Sequence, residues 1–349
     1  MTEDTEKGKS RVKGRFAPSP TGRMHLGNVF AALMSWLSAK SQRGDWLLRI
    51  EDLDPQRSHR EYAETLMDDL LWLGLQWDEG PYRECGNGPY WQSLRGAFYE
   101  KALLCLQRKG LVYPCTCTRA DIMATQAPHE SDGRVVYKGT CRPQAIIPWE
   151  RILTGNFSSD LFLEKPASSV RTFAGDGDCI VQQVAALRLM VPPEHLADMG
   201  FYDGHYGEMH INLATHCGDF IVRRRDKAWA YQLAVVVDDA LMGVTEVVRG
   251  RDLLLSVPQQ EYVARLLGFS TPAFTHIPLL VNEQGQRLSK RDKSLDMGVL
   301  RSRYSAEELL GKLAHVIGLT CDESPVSARD LIPLFSWQKI PTKDIICKM

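Results

Sequence analysis

No apolar run in this chain approaches the roughly 20 residues that a membrane span needs, so the sequence offers no candidate transmembrane helix. Charge of one sign is not in excess either: 42 Lys and Arg stand against 43 Asp and Glu, a net charge of −1. That balance excludes nucleic-acid binding through a global basic field and leaves any RNA contact to local patches. The first ten residues, Met1 to Ser10, lack the apolar core of a secretory signal and read as a flexible tail on a cytoplasmic protein. Internal repeats and low-complexity segments are missing as well. The nine cysteines are odd in number and scattered, which suits a reducing compartment better than a disulfide framework.

What is present is the composition of a globular protein, 44% hydrophobic and 24% charged over 349 residues. That length suffices for two ordinary domains or one large domain with insertions. A short strand over Arg11–Ala17 runs into a Ser-Pro-Thr-Gly turn. Leu26, Val29, Phe30, Leu33 and Leu37 then recur at helical spacing until Gly44. The run Trp46-Leu-Leu-Arg-Ile50 suits a buried strand, and Tyr62, Leu66, Leu70, Leu71 and Leu73 mark a second helix. Strand, helix, strand, helix opens a doubly wound α/β unit, whose ligands bind at the C-terminal ends of its strands. Both the Ser-Pro-Thr-Gly turn and Glu51-Asp52 fall at such ends.

Residues 90–110 read as helical, and 113–218 break the pattern with Cys, Pro and Gly, as an insertion would. The part from 164 to 212 has no clear periodicity. The α/β signal resumes at Asp219–Arg225 and continues through Ala234–Asp239, and an amphipathic helix spans about Pro258–Leu267. The expected organisation is therefore a tail (1–10), a first half of a nucleotide-binding domain (11–112), an insertion (113–218), a second half (219–291) and a short helical C-terminal region (292–349).

Two short motifs carry chemistry. Arg15-Phe-Ala-Pro-Ser-Pro-Thr-Gly-Arg-Met-His-Leu-Gly-Asn28 leads into a helix start, whose unpaired N–H groups and partial positive charge favour a phosphate. His25 offers a hydrogen bond to charge developing on a transferred phosphoryl group. Gly27 lets an adenine approach the helix backbone, and Asn28 adds a second polar contact. Arg287-Leu-Ser-Lys-Arg291 follows the polar turn Asn282–Gln286, and a lysine there can close over a triphosphate and neutralise a leaving pyrophosphate. Taken alone, a four-residue His-x-Gly-Asn recurs by chance and a basic pentapeptide is commonly a solvated loop.

Together, and in this order, the two motifs resemble the signatures of the class I aminoacyl-tRNA synthetases, specifically the glutamyl branch. Its first signature reads His-Ile-Gly-His or a relative after Ala-Pro-Ser-Pro-Thr-Gly, and here Asn28 replaces the second histidine. Its second reads Lys-Met-Ser-Lys-Ser, and here arginines replace the first lysine and last serine while Leu288-Ser289-Lys290 keeps the centre. The resemblance implies a Rossmann-like doubly wound parallel sheet, catalytic roles for His25, Asn28 and Lys290, and ATP with Mg²⁺ held by His25, Gly27, Asn28, Leu288, Ser289 and Lys290. A glutamate pocket needs cations for carboxylates and an acceptor for the ammonium. Similarity to that branch assigns Arg15, Phe16, Ala17, Pro18, Ser19, Glu51, Tyr231 and Arg249 to it. Asp238-Asp239 belongs to the same matched block.

Cys115-Thr-Cys117 and Cys141 lie within 27 residues, and three thiolates plus one further ligand make a structural zinc site. Chemistry alone leaves His129 and Tyr137 open as the fourth ligand. The pattern Cys115, Cys117, Tyr137, Cys141 is similar to that of truncated paralogues in the glutamyl branch, whose zinc sits in an acceptor-type inserted subdomain. Only 58 residues follow Arg291, fewer than an anticodon-reading domain of about 100 residues needs. Those paralogues attach L-glutamate to queuosine in the anticodon loop of tRNA(Asp), acting as monomers in this reading. Three alternatives stay open: a short synthetase charging tRNA(Glu), a catalytically inactive RNA-binding paralogue, and a small nucleotidyltransferase. Arg223-Arg-Arg225 is either a docking point for RNA phosphates or a solvated strand end.

Overall fold

The computed structural model describes residues 11–83, 85–118, 120–121, 136–155, 185–288 and 295–347. In chain order these form β1 (Lys13–Phe16), α1 (Leu26–Ser41), β2 (Asp45–Leu48), α2 (Arg60–Trp72), α3 (Gly96–Arg108) and β3 (Val112–Cys115). There follow α4 (Trp149–Thr154), β4 (Ala186–Leu189), β5 (Asp198–Asp203), β6 (Gly207–Asn212), α5 (Leu213–His216) and β7 (Phe220–Arg223). Next come α6 (Tyr231–Leu241), β8 (Glu246–Gly250), α7 (Val257–Leu267), β9 (Ala273–Ile277) and β10 (Leu280–Val281). The last are α8 (Met297–Arg303), α9 (Ala306–Val316), α10 (Ala328–Leu331) and β11 (Ile345–Ile346). No helix among the described residues is long and apolar enough to cross a membrane.

The main sheet has the order β2-β1-β8-β9-β5-β6. Its first five strands are parallel, and β6 runs antiparallel to β5 at the edge. The sheet is thus mixed rather than wholly parallel, because the β5–β6 hairpin closes through a short turn that a parallel crossover cannot use. Strands β5 and β6 lie within the segment that reads as an insertion, yet they extend the main sheet. Strand β7, where the α/β signal resumes in the sequence, joins instead a three-stranded antiparallel sheet, β3-β4-β7. The apolar run Ala234–Asp239 is part of helix α6.

Helix α1 forms where its apolar positions place Leu26, Val29, Phe30, Leu33 and Leu37 at the core. It ends just before Gly44, where a Cβ would sit 2.5 Å from the carbonyl of Val12, so only glycine lets the chain turn back into β2. One apolar cluster joins α1 and α2 to the C-terminal helices α8–α10; a second joins α3, α6 and α7. Helices therefore cover the sheet, and the loops at the C-terminal ends of β1, β2, β8 and β9 open onto one cleft.

Candidate active site

The cleft has a volume of about 490 Å³, and its walls contain every described residue that the two motifs and the glutamate pocket nominate. Arg15 and Phe16 end β1 and Ala17 to Ser19 follow it, Glu51 follows β2, Tyr231 opens α6 and Arg249 lies near the end of β8. His25, Gly27 and Asn28 line it from the start of α1, and Leu288 from the far side. Ser289 and Lys290 lie outside the described residues. Their flanks are at the cleft: Leu288 N–H donates to the Leu280 carbonyl at 3.0 Å, and Asp296 bridges His25. Met297 N–H also donates to the Met24 carbonyl at 3.0 Å, so the chain just after the second motif reaches the first.

The first motif is also a helix cap. Gly27 N–H donates to His25 Nδ1 at 3.1 Å, and His25 N–H donates to Asn28 Oδ1 at 3.1 Å. That is a reciprocal capping box built from His and Asn rather than Ser and Glu. Because Nδ1 accepts, the proton of the neutral ring resides on Nε2. Gly27 cannot carry a side chain without crowding this ring, since a Cβ would lie 2.9 Å from His25 Cε1.

Beneath the cleft is a buried charge network. Arg49 is fully buried; its Nη1 donates to Asp239 at 2.7 Å and its Nη2 to Glu51 at 3.2 Å, and Asp238 lies 3.7 Å from Nε. Asp238 is held further by Arg95 Nε at 2.5 Å, Gln92 at 2.7 Å and the Tyr99 hydroxyl at 2.8 Å. Burial works against the charge of Arg49, but Asp239, Asp238 and Glu51 raise its proton affinity above the ordinary value. Asp239 shows the converse: burial opposes its ionisation, yet Arg49 and Arg15 hold it below the usual carboxylate range. Glu51 goes the other way, pushed up by burial and by Asp239 despite the attraction of Arg49 and Arg15.

Of the four arginines lining the cleft, Arg15 and Arg249 belong to the glutamate pocket. Arg15 stands 3.5 Å from Asp239, and Arg249 donates to the Tyr231 hydroxyl at 3.2 Å. Burial, with Arg15 nearby, pushes Arg249 below its ordinary value while Tyr231 opposes the shift. Two cations, a buried carboxylate and a phenol in one cavity can take a dicarboxylate that carries an ammonium group. Sequence reasoning missed Arg49 and Arg95 as members of this network, and also His276, which accepts from Arg249 Nε at 3.0 Å and lies 2.6 Å from Asp203 Oδ2. The signal for Arg49 was a charge inside the apolar run Trp46–Ile50; a lone His276 in β9 gave none.

A second cluster lies in the small sheet. The sulfur atoms of Cys115, Cys117 and Cys141 all lie within 4.8 Å of one another. Tyr137 Oη is 3.5 Å from Cys115 Sγ and 3.9 Å from Cys117 Sγ, and accepts from Cys141 N–H at 2.7 Å. Thiolates bound to zinc at about 2.3 Å stand about 3.8 Å apart on a tetrahedron, so the donor set fits that ion. His129 lies outside the described residues. The Arg223–Arg225 triplet is engaged internally: Arg223 with Glu100 at 3.1 Å, Arg224 with Asp226 at 2.6 Å, and Arg225 with the Thr116 carbonyl.

Residues 11–145 and 179–323 match the family of class I tRNA synthetases (E and Q), catalytic domain. A relative from Nitratidesulfovibrio vulgaris named glutamyl-Q tRNA(Asp) synthetase is 41% identical over 337 residues, covering 96% of this chain and 95% of its own. Its namesake from Symbiobacterium thermophilum is 43% identical over 336 residues, covering 95% of this chain and 94% of its own. Among solved structures, a glutamate tRNA ligase from Elizabethkingia meningosepticum in complex with its amino acid superposes with a TM-score of 0.75. It is 26% identical, with 97% of this chain and 67% of that one covered.

Proposed function

Because the chain belongs to the class I tRNA synthetases of the E and Q branch, we propose that it activates L-glutamate with ATP and transfers it to queuosine in tRNA(Asp). The observation that carries the activation step is the pairing of Arg15 and Arg249 with Glu51 in the same cleft as the His25 cap. The arginines take the carboxylates of glutamate and Glu51 takes its ammonium. An α-carboxylate oxygen attacks the α-phosphorus of ATP, the bond from that phosphorus to the oxygen bridging to the β-phosphate breaks, and pyrophosphate leaves; Mg²⁺ bound with ATP would offset the charge of the phosphates. His25 Nε2–H and the N-terminus of α1 stabilise the charge that builds on the phosphoryl oxygens. Lys290, Ser289 and Leu288 close over the triphosphate, and Gly27 and Asn28 receive the adenosine part.

In the second step a hydroxyl of queuosine attacks the acyl carbon, AMP leaves, and an ester of glutamate remains on the base. Support for queuosine as acceptor is the name carried by relatives that match over about nineteen-twentieths of both lengths. Cys115, Cys117, Tyr137 and Cys141 would hold a zinc ion whose chemistry is structural, tying β3 to the loop before α4. The protein works in this reading as a cytoplasmic monomer that takes the anticodon loop of tRNA(Asp) at the cleft.

Exchange of radiolabelled pyrophosphate into ATP, measured with tRNA(Asp) present, tests the first step. Exchange that requires glutamate and falls at least a hundredfold in Arg249→Ala supports it, as expected when a charged hydrogen-bonding group worth about 3 kcal/mol is removed. Exchange with another amino acid in place of glutamate contradicts it.

A further inference from the structure

Asp203, His276 and Arg249 stand on three neighbouring strands of the main sheet, β5, β9 and β8. Arg249 and His276 are register partners across β8 and β9. Arg249 Nε donates to His276 Nε2 at 3.0 Å, and His276 Nδ1 lies 2.6 Å from Asp203 Oδ2. An imidazole nitrogen that accepts carries no proton, so the ring proton is on Nδ1 and goes to Asp203. Asp203 is itself fixed by the N–H groups of His205 and Tyr206 at 3.0 Å each. Asp203 and His276 are fully buried and Arg249 nearly so. Burial lowers the proton affinity of His276 and Arg249 adds to that, against the pull of Asp203.

Arg249 forms no ion pair with a carboxylate among the described residues; its hydrogen-bond acceptors are an imidazole, the Tyr231 hydroxyl and the Leu253 carbonyl. A guanidinium has five N–H donors. Those three bonds leave one donor on each terminal nitrogen, the pair that a carboxylate takes as a fork. A carboxylate placed directly against Nε would aim the side chain but neutralise it. A neutral imidazole aims it and leaves the charge for a ligand, with the counter-charge of Asp203 one ring further away.

We propose that His276, locked in its Nδ1–H form by Asp203, is a positioning residue that aims Arg249 at a carboxylate of the substrate without spending its charge. The proposal rests on the glutamate reading of the cleft. It deepens that reading by adding a specificity element behind the pocket wall, one that touches no substrate.

The test compares wild type, His276→Leu and His276→Gln as full-length proteins in glutamate-dependent pyrophosphate exchange. Loss of a hydrogen bond to a charged group predicts a rise of about ten- to hundredfold in KM for glutamate in His276→Leu. The kcat and the KM for ATP stay within about twofold of wild type, the pattern of lost ground-state binding. His276→Gln, whose amide oxygen can accept from Arg249 Nε, recovers most of the loss. An unchanged KM for glutamate in His276→Leu overturns the proposal, as does a uniform loss in kcat and both KM values, or a His276→Gln no better than leucine. Ring-nitrogen NMR of the wild type checks the tautomer independently of the amino acid activated: an Nδ1–H signal is expected, and an Nε2–H form overturns the proposal. Wild type without glutamate-dependent exchange overturns the substrate reading instead, a result the tautomer measurement cannot mimic.

Discussion

Arg49 sits where three carboxylates converge, and its burial makes the arrangement asymmetric. Arg49, Arg95 and Arg15 together face the three carboxylates; without Arg49 the acids Asp238, Asp239 and Glu51 outnumber the remaining cations in a dry interior. Breaking a buried ion pair by removing one partner costs about 3–5 kcal/mol. Arg49→Met is therefore expected to lose about that much unfolding free energy in urea; a change below about 1 kcal/mol would mean that Arg95 and Arg15 suffice to hold the acids. Glu51 behaves differently because its folded-state proton affinity is raised. A carboxyl raised on folding favours the native state at low pH, and that contribution is lost as pH rises through the folded pKa. Above that folded pKa ionised Glu51 thus burdens the fold, and Glu51→Gln is expected to melt no lower than wild type while its KM for glutamate rises at least tenfold. In wild type the same KM should climb as pH falls through the raised pKa. A melting temperature lowered by several degrees in Glu51→Gln would show that Glu51 stabilises the fold instead.

At the scale of elements, much of the molecule was legible in the sequence. The helical spacing from Leu26 to Leu37, with the apolar run at Trp46, marks α1 and β2 where they occur. The pattern did not say which sheet a strand joins. Phe220–Arg223 alternates like any half-buried strand, and only tertiary pairing sends it to β4 rather than to the nucleotide sheet. Residues 198–203 carry Gly, Asp and Tyr among their apolar positions, so β5 gave no readable period although it lies beside β9. The Arg15–Asn28 wall of the cleft was legible as a motif, whereas Glu51, Tyr231 and Arg249 were assigned only by resemblance. Asp203 and His276 were not legible, since a buried polar relay assembled from separate strands leaves no local signature. The small sheet carries its own prediction. Metal analysis of purified protein should find zinc, Cys141→Ser should lose most of it, and chelator should lower the melting temperature of wild type only. A wild type without metal and indifferent to chelator would leave the thiols as ordinary reduced cysteines.

For the whole molecule, one cleft at the C-terminal edge of a mixed sheet brings an N-terminal motif, a pair of arginines and the flanks of a C-terminal motif together. The C-terminal helices are part of that body, packed with α1 and α2 in one apolar cluster and tied back by Arg251 to Asp344. The catalytic half of the account is a matter of named atoms; the acceptor is a matter of which RNA reaches the cleft. Attachment of radiolabelled glutamate to purified tRNA(Asp), with and without queuosine, beside tRNA(Glu), tests the central claim most directly. Label that appears on tRNA(Asp) only when queuosine is present is the predicted result. Label on tRNA(Glu), or on tRNA(Asp) regardless of queuosine, would contradict it.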